Sequence, residues 1–136
     1  MRGIGGFRSR RARAVHRLAL SPSCWGISEQ KEWGHQIAVD RVLSEAAAVG
    51  EGAITAGPPG FLPDRSDHAR ALLRRLRVEV VAGQVHGILH QNDMRGAELA
   101  HIDGHAHWLA AVGASTLVLS AIPERQPSET RASALS

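Results

Sequence analysis

Cysteine occurs once in the 136 residues, at Cys24, and lysine once, at Lys31. A single thiol cannot build a disulfide framework, so the fold must be held by its apolar core, and a reducing, cytoplasmic setting is expected. Cys24 itself reads as a small, half-buried apolar residue. No apolar run approaches the roughly 18 residues that a membrane span needs, which predicts a soluble protein. Neither a Gly-x-Gly-x-x-Gly stretch nor a P-loop is present, and nothing resembles a nucleophile elbow, so the sequence offers no nucleotide-phosphate cradle and no hydrolase signature.

Acids are missing from one segment only. Residues 1–17 hold six arginines (Arg2, Arg8, Arg10, Arg11, Arg13 and Arg17) and no carboxylate, so the formal charge of +3 resolves into +6 there and −3 over the rest. Apart from Phe7 this arm lacks the interleaved aromatics of a nucleic-acid binder, and "LAL" at 18–20 is too short for the apolar core of a signal peptide. A disordered extension at 1–17 is expected, with nucleic acid an unlikely partner. A second polar, stripe-free segment, 123–136, reads as a disordered tail.

What remains, residues 18–122, is one domain's worth of chain in a sequence that is 43% apolar. Short apolar runs at 18–26, 52–57, 78–85 and 115–122 alternate with amphipathic patterns at 41–49, 67–76 and 97–112. Apolar spacing of i, i+3, i+4, i+7 marks helices, and the continuous runs between them read as strands buried on both faces. That alternation predicts parallel βα units, about four strands and three helices. Asp40 could cap the first helix, Asp64 or Ser66 the second, and Gly50 and Gly113 stand where glycine C-caps belong. The helix–Val–Gly–strand junction recurs after 63 residues, the length of two such units.

Within the domain, "AGPPGFLPD" (56–64) joins a strand to a helix through three prolines and two glycines. Proline fixes φ and glycine permits unusual φ, so the loop should hold one shape and present Phe61 and Leu62. A second conspicuous group is "HIDGHAHW", with His101, Asp103, His105 and His107. Its i, i+4 pairs could in principle clamp a metal. Because Leu99, Ile102, Ala106 and Leu109 are expected to take the buried face, these polar groups are expected on the solvent side of an outer helix, and the glutamate of an HExxH zinc signature is replaced by Ile102.

Three stretches together resemble a known family: "SPSCWGISEQKEWGHQIAVDRVLSEAAAVGEGAITAGPPGFLP", "VVAGQVHGILH" and "AELAHIDGHAHWLAAVGASTLVLSA". They are similar to the N-terminal half of xylose-isomerase-like (β/α)8 barrels, within the sugar phosphate isomerase/epimerase group that includes inosose dehydratase. The resemblance runs from about Leu18 to about Ile122 and implies the N-terminal half of a TIM barrel. It also implies metal-assisted isomerisation, epimerisation or dehydration of a sugar or inosose. Active sites of such barrels lie in loops after the strands' C-terminal ends. On this resemblance Trp25, Trp33, Phe61, Leu62, Gln84 and His86 would line a pocket for a sugar or polyol. It assigns no catalytic residue.

Two departures from the family pattern bear on activity. Ala56 stands where family members usually carry a glutamate before the second loop, removing a possible proton-transfer partner. The divalent-metal ligands (for Mn, Co or Mg) would come from the second half of a barrel of about 250 residues, so no metal ligand is expected in this chain. The expectations are therefore a truncated isomerase/epimerase-like protein, needing a homodimer or a complementary half-barrel, or a catalytically inactive half-barrel that acts at most as a sugar-binding or assembly module.

Overall fold

Val42, Leu43 and Ala46 recur at helical spacing and are fully buried, and they anchor the first of three helix–strand pairs. A computed structural model describes residues 18–30, 32–49, 52–93 and 95–123. Its elements follow the order α1 (Val39–Ala48), β1 (Ala53–Thr55), α2 (Ser66–Leu76), β2 (Glu79–Gly87), α3 (Arg95–Val112) and β3 (Thr116–Ala121). The three strands form one parallel sheet in the order β1-β2-β3. The protein is thus an α/β fold with a parallel sheet.

Of the first run, 18–26, only Leu20 joins the sheet, through a parallel bridge to Ile54. Its N–H donates to Ala53 O and its carbonyl accepts from Thr55 N, both at 2.9 Å. The expected strand stops there because Pro22 has no N–H to add to a ladder and its fixed φ suits a helical turn. Residues Pro22–Trp25 form that turn, a single 3-10 turn, and Cys24 on it is exposed rather than half-buried.

Sequential strand order constrains where the helices lie. Right-handed crossovers between neighbouring parallel strands advancing in one direction put every helix on the same face. In agreement, α1 packs on α2 and α2 on α3. The core lies between that helix layer and the sheet, where Leu43, Ile54, Leu73, Val80 and Leu109 meet. Burying each such side chain contributes about 1.5–3 kcal/mol. The opposite face of the sheet carries no helix among the described residues.

A β-bulge sets which residues face which way. Ile54 pairs with Val80 and Thr55 with Ala82, leaving Val81 extra. One inserted residue inverts the alternation. Before the bulge Val80 faces the helices; after it Gly83, Val85 and Gly87 do, while Ala82, Gln84 and His86 turn to the uncovered face.

Helix ends differ in part from expectation. α1 starts at Val39 after Ala38, and α2 at Ser66 after Arg65, neither with a side-chain cap. Asp40 falls instead in the first turn of α1, where its charge complements the helix dipole and pairs with Arg75 of α2. Gly113 does cap α3, with φ +99 and Ala114 N donating to Leu109 O at 3.0 Å. Gly50 and Glu51, the arm 1–17 and the tail beyond Pro123 lie outside the described residues. No described helix is long and apolar enough to cross a membrane.

Candidate functional site

Gln84 and His86 are separated by two positions on β2, so they share the uncovered face, and Ser120 joins them because His86 pairs in register with Ser120 on β3. Gln84 Nε2 lies 3.0 Å from His86 Nε2 and 2.9 Å from Ser120 Oγ. An amide nitrogen has two hydrogens and no lone pair to offer, so both hydrogens are used and both partners accept. His86 Nε2 is therefore the accepting nitrogen, and the ring hydrogen sits on Nδ1. That proton faces Glu29, whose Oε2 stands 3.7 Å from Nδ1. The reverse tautomer would turn a lone pair toward a carboxylate.

This cluster borders a cavity of about 310 Å³ on the uncovered face, with Ser21, Glu29, Thr55, Pro58, Gln84 and Val118 among its lining residues. It sits where the loops after the strands rise over the sheet, the position at which parallel α/β folds place ligands. Glu29 reaches it from the loop after the 3-10 turn. That loop is closed by Gly26 and Gly34: His35 N donates to Gly26 O at 3.0 Å, and a Cβ on Gly34 would lie 1.9 Å from the same oxygen. Gly34 also has φ +80, so glycine is required there on both counts.

The 56–64 loop does hold one shape. Gly57 has φ +72, and a Cβ on it would stand 2.8 Å from Phe61 Cδ1 and 2.9 Å from Pro22 Cγ. Phe61 folds back over it, its N–H donating to Pro58 O at 3.0 Å. The loop is the common wall of three cavities: that bordered by Gln84, a second of about 310 Å³ lined by Phe61, Glu29 and Gln36, and a smaller one of about 140 Å³ lined by Leu62, His105 and Trp108.

The six residues expected at the pocket are therefore dispersed. Gln84 and His86 stand together on the uncovered face, and Phe61 lines the adjoining cavity. Leu62 is buried in the core and closes the small cavity from below. Trp25 packs against the core and donates from Nε1 to Glu45 Oε2 at 2.7 Å; Arg41, then Trp25, hold that carboxylate below its ordinary pKa. Trp33 is 68% exposed and lines none of these three cavities. Glu29 and Ser120 were not among the expected residues; Ser120 becomes legible only once β2 and β3 are set in register.

The polar face of α3 needs a larger correction. Leu99 is 55% exposed, and the buried stripe runs Glu98, Ile102, His105, Leu109, Val112. Its spacing of 4, 3, 4 and 3 is a regular helical face that includes two ionisable groups. Glu98 is 4% exposed and its Oε2 accepts from Ile88 N at 3.0 Å, fixing the chain as it leaves β2. His105, expected in solvent, turns inward: it stacks on Trp108 at 6.1 Å between centroids, and its Nε2 is buried without a hydrogen-bond partner. Burial, and then the neighbouring His101, lower its pKa; the Gln84 backbone opposes this. Trp108 in turn donates to the Asp64 carbonyl at 2.8 Å, tying α3 to the loop. Of the "HIDGHAHW" group, His101, Asp103 and His107 remain on the exposed side.

Among the described residues no three His, Cys, Asp or Glu side chains come close enough to hold a metal ion. Comparison with protein-family models and with curated proteins gives no match for the chain.

Proposed function

We propose that the chain is the N-terminal half of a (β/α)8 barrel of the sugar isomerase/epimerase type, and that it contributes one wall of a sugar or polyol site. The observation that carries this is the convergence of Gln84, His86 and Ser120 on the helix-free face of a sequentially ordered parallel sheet. A barrel interior is such a face, and hydroxyl-binding groups near the C-terminal ends of its strands are what a sugar requires. Val118 and Leu119 are 48% and 44% exposed on β3, which has no neighbour on its far side among the described residues. On this reading the next parallel strand lies there, supplied by a second copy or a complementary half-barrel.

His86 with a bare Nε2 has the form of a general base, but Gln84 already donates to that nitrogen. Binding and orienting hydroxyls is therefore the role assigned to this chain, with proton transfer left to the other half. The test is a thermal-shift screen of monosaccharides and polyols at saturating concentration on the wild type and on Gln84→Ala. A ligand that raises the wild-type Tm but not that of the variant supports the reading. A hit that stabilises both alike, or no hit, refutes it.

A further inference from the structure

The charge around the Gln84 cavity bears on which part of a ligand it can take. This step rests on the sugar-site reading and narrows it. Glu29 is the one charged side chain lining that cavity among the described residues, and no arginine reaches it. Arg41, Arg65, Arg75 and Arg95 are engaged elsewhere, with Glu45, Asp67, Asp40 and Asn92 respectively. The hydrogen-bonding inventory suits hydroxyl groups. With both Gln84 amide hydrogens committed to His86 and Ser120, the polar side chains that line the cavity are Gln84 and Glu29, which can only accept there, and the hydroxyls of Ser21, Ser23 and Thr55.

We infer that the end of the ligand seated on Gln84, Ser120 and Glu29 is an uncharged polyhydroxyl group and that a phosphate is excluded from it. Each hydroxyl can donate to Glu29 or Gln84 Oε1 while accepting from Ser21 or Thr55. A phosphate dianion brings acceptors only, which neither Glu29 nor Gln84 Oε1 can satisfy, and it brings negative charge toward a carboxylate with no cation between them. Glu29 is thus a specificity-determining residue: it favours donor groups, and its negative charge rejects anions.

The experiment is calorimetric titration of the full chain, in the presence of EDTA, with D-ribose, with D-ribose 5-phosphate, whose blocked O5 prevents pyranose closure, and with methyl D-ribofuranoside as the neutral furanose control. Both neutral sugars are expected to bind at least tenfold more tightly than the phosphate. Raising the salt concentration should narrow that gap by screening Glu29, and Glu29→Gln should narrow it to threefold or less at low salt. Glu29 is a loop residue with a 45% exposed side chain, so the variant is expected to keep the wild-type melting temperature. Should it not, the salt series on the wild type decides. Equal or tighter binding of ribose 5-phosphate overturns the inference and leaves the sugar site standing. Binding of none of the three overturns the sugar-site reading, and this inference with it.

Discussion

Gln84 Nε2 and His86 Nε2 stand 3.0 Å apart on alternate residues of one strand, and that approach determines which imidazole nitrogen carries the proton. The amide can only donate, so the ring must accept at Nε2 and hold its hydrogen on Nδ1, toward Glu29. Long-range 15N–1H correlation spectra above pH 7.5 are expected to show His86 as the Nδ1–H tautomer. Gln84→Ala removes the donor, and the ring is expected to shift toward the Nε2–H form favoured by free imidazole. A wild-type ring already in that form contradicts the geometry.

His105 makes stability depend on pH. Burial lowers its pKa in the folded state, so as pH falls the unfolded chain, with an imidazole near 6.5, takes up the proton first. Stability from the neutral ring is present above that pH and declines as pH falls below it toward the lowered folded value. Asp64 from the loop and His101 one turn away are the ionisable groups nearest it in the cavity wall and on the helix. Urea melts at pH 7.5 and 5.5 should show a loss in the wild type that is smaller in His105→Leu, the difference between the two isolating this ring from the other histidines.

How much of this was legible in the sequence depended on whether polarity reported burial. Strand and helix limits in 52–112 fall within a few residues of the apolar runs, because there the inward residues are apolar. The first run failed at Pro22, whose missing N–H ends the ladder after Leu20. On α3 the apolar Leu99 suggested a buried face extending further round the helix than it does, whereas Ile102, Ala106 and Leu109 are buried or half-buried as expected. Glu98 and His105 occupy packed positions, and their burial is explained only by partners distant in sequence: the Ile88 N–H for Glu98, and the 56–64 loop over His105. The bulge at Val81 was likewise invisible, since Val80, Val81 and Ala82 are equally apolar. Yet it decides that the side chains of Gln84 and His86, rather than that of Val85, lie on the helix-free face of the sheet.

Gly83 gives Leu109 room where α3 packs on the sheet. A Cβ on Gly83 would lie 2.4 Å from Leu109 Cδ2, with Leu109 itself 2% exposed. Gly83→Ala is expected to cost about 1–3 kcal/mol by overpacking. Leu109→Ala alone should cost about 2–5 kcal/mol through the cavity it leaves. The double variant should be more stable than the sum of the two losses predicts, since the new methyl enters the space that the leucine vacated. Additivity in urea denaturation within ~0.5 kcal/mol would show that the two side chains do not share that space.

Gly34 links the loop that carries Glu29 to the rest of the domain. Any Cβ there meets the Gly26 carbonyl at 1.9 Å, and the backbone already has φ +80, so Gly34→Ala must open the turn in which His35 N donates to that same oxygen. The steric conflict and the left-handed backbone together should destabilise by more than about 1 kcal/mol. The damage should be local, because Gly34 is exposed and lies between Ile27 and Ile37, the points at which the loop packs against the core. Hydrogen exchange is expected to show the His35 amide losing protection in the variant, while the amides of β2, paired on both sides, keep theirs. Loss of protection throughout the sheet would mean instead that this loop is part of the cooperative core, and that Glu29 is held in place as firmly as Gln84.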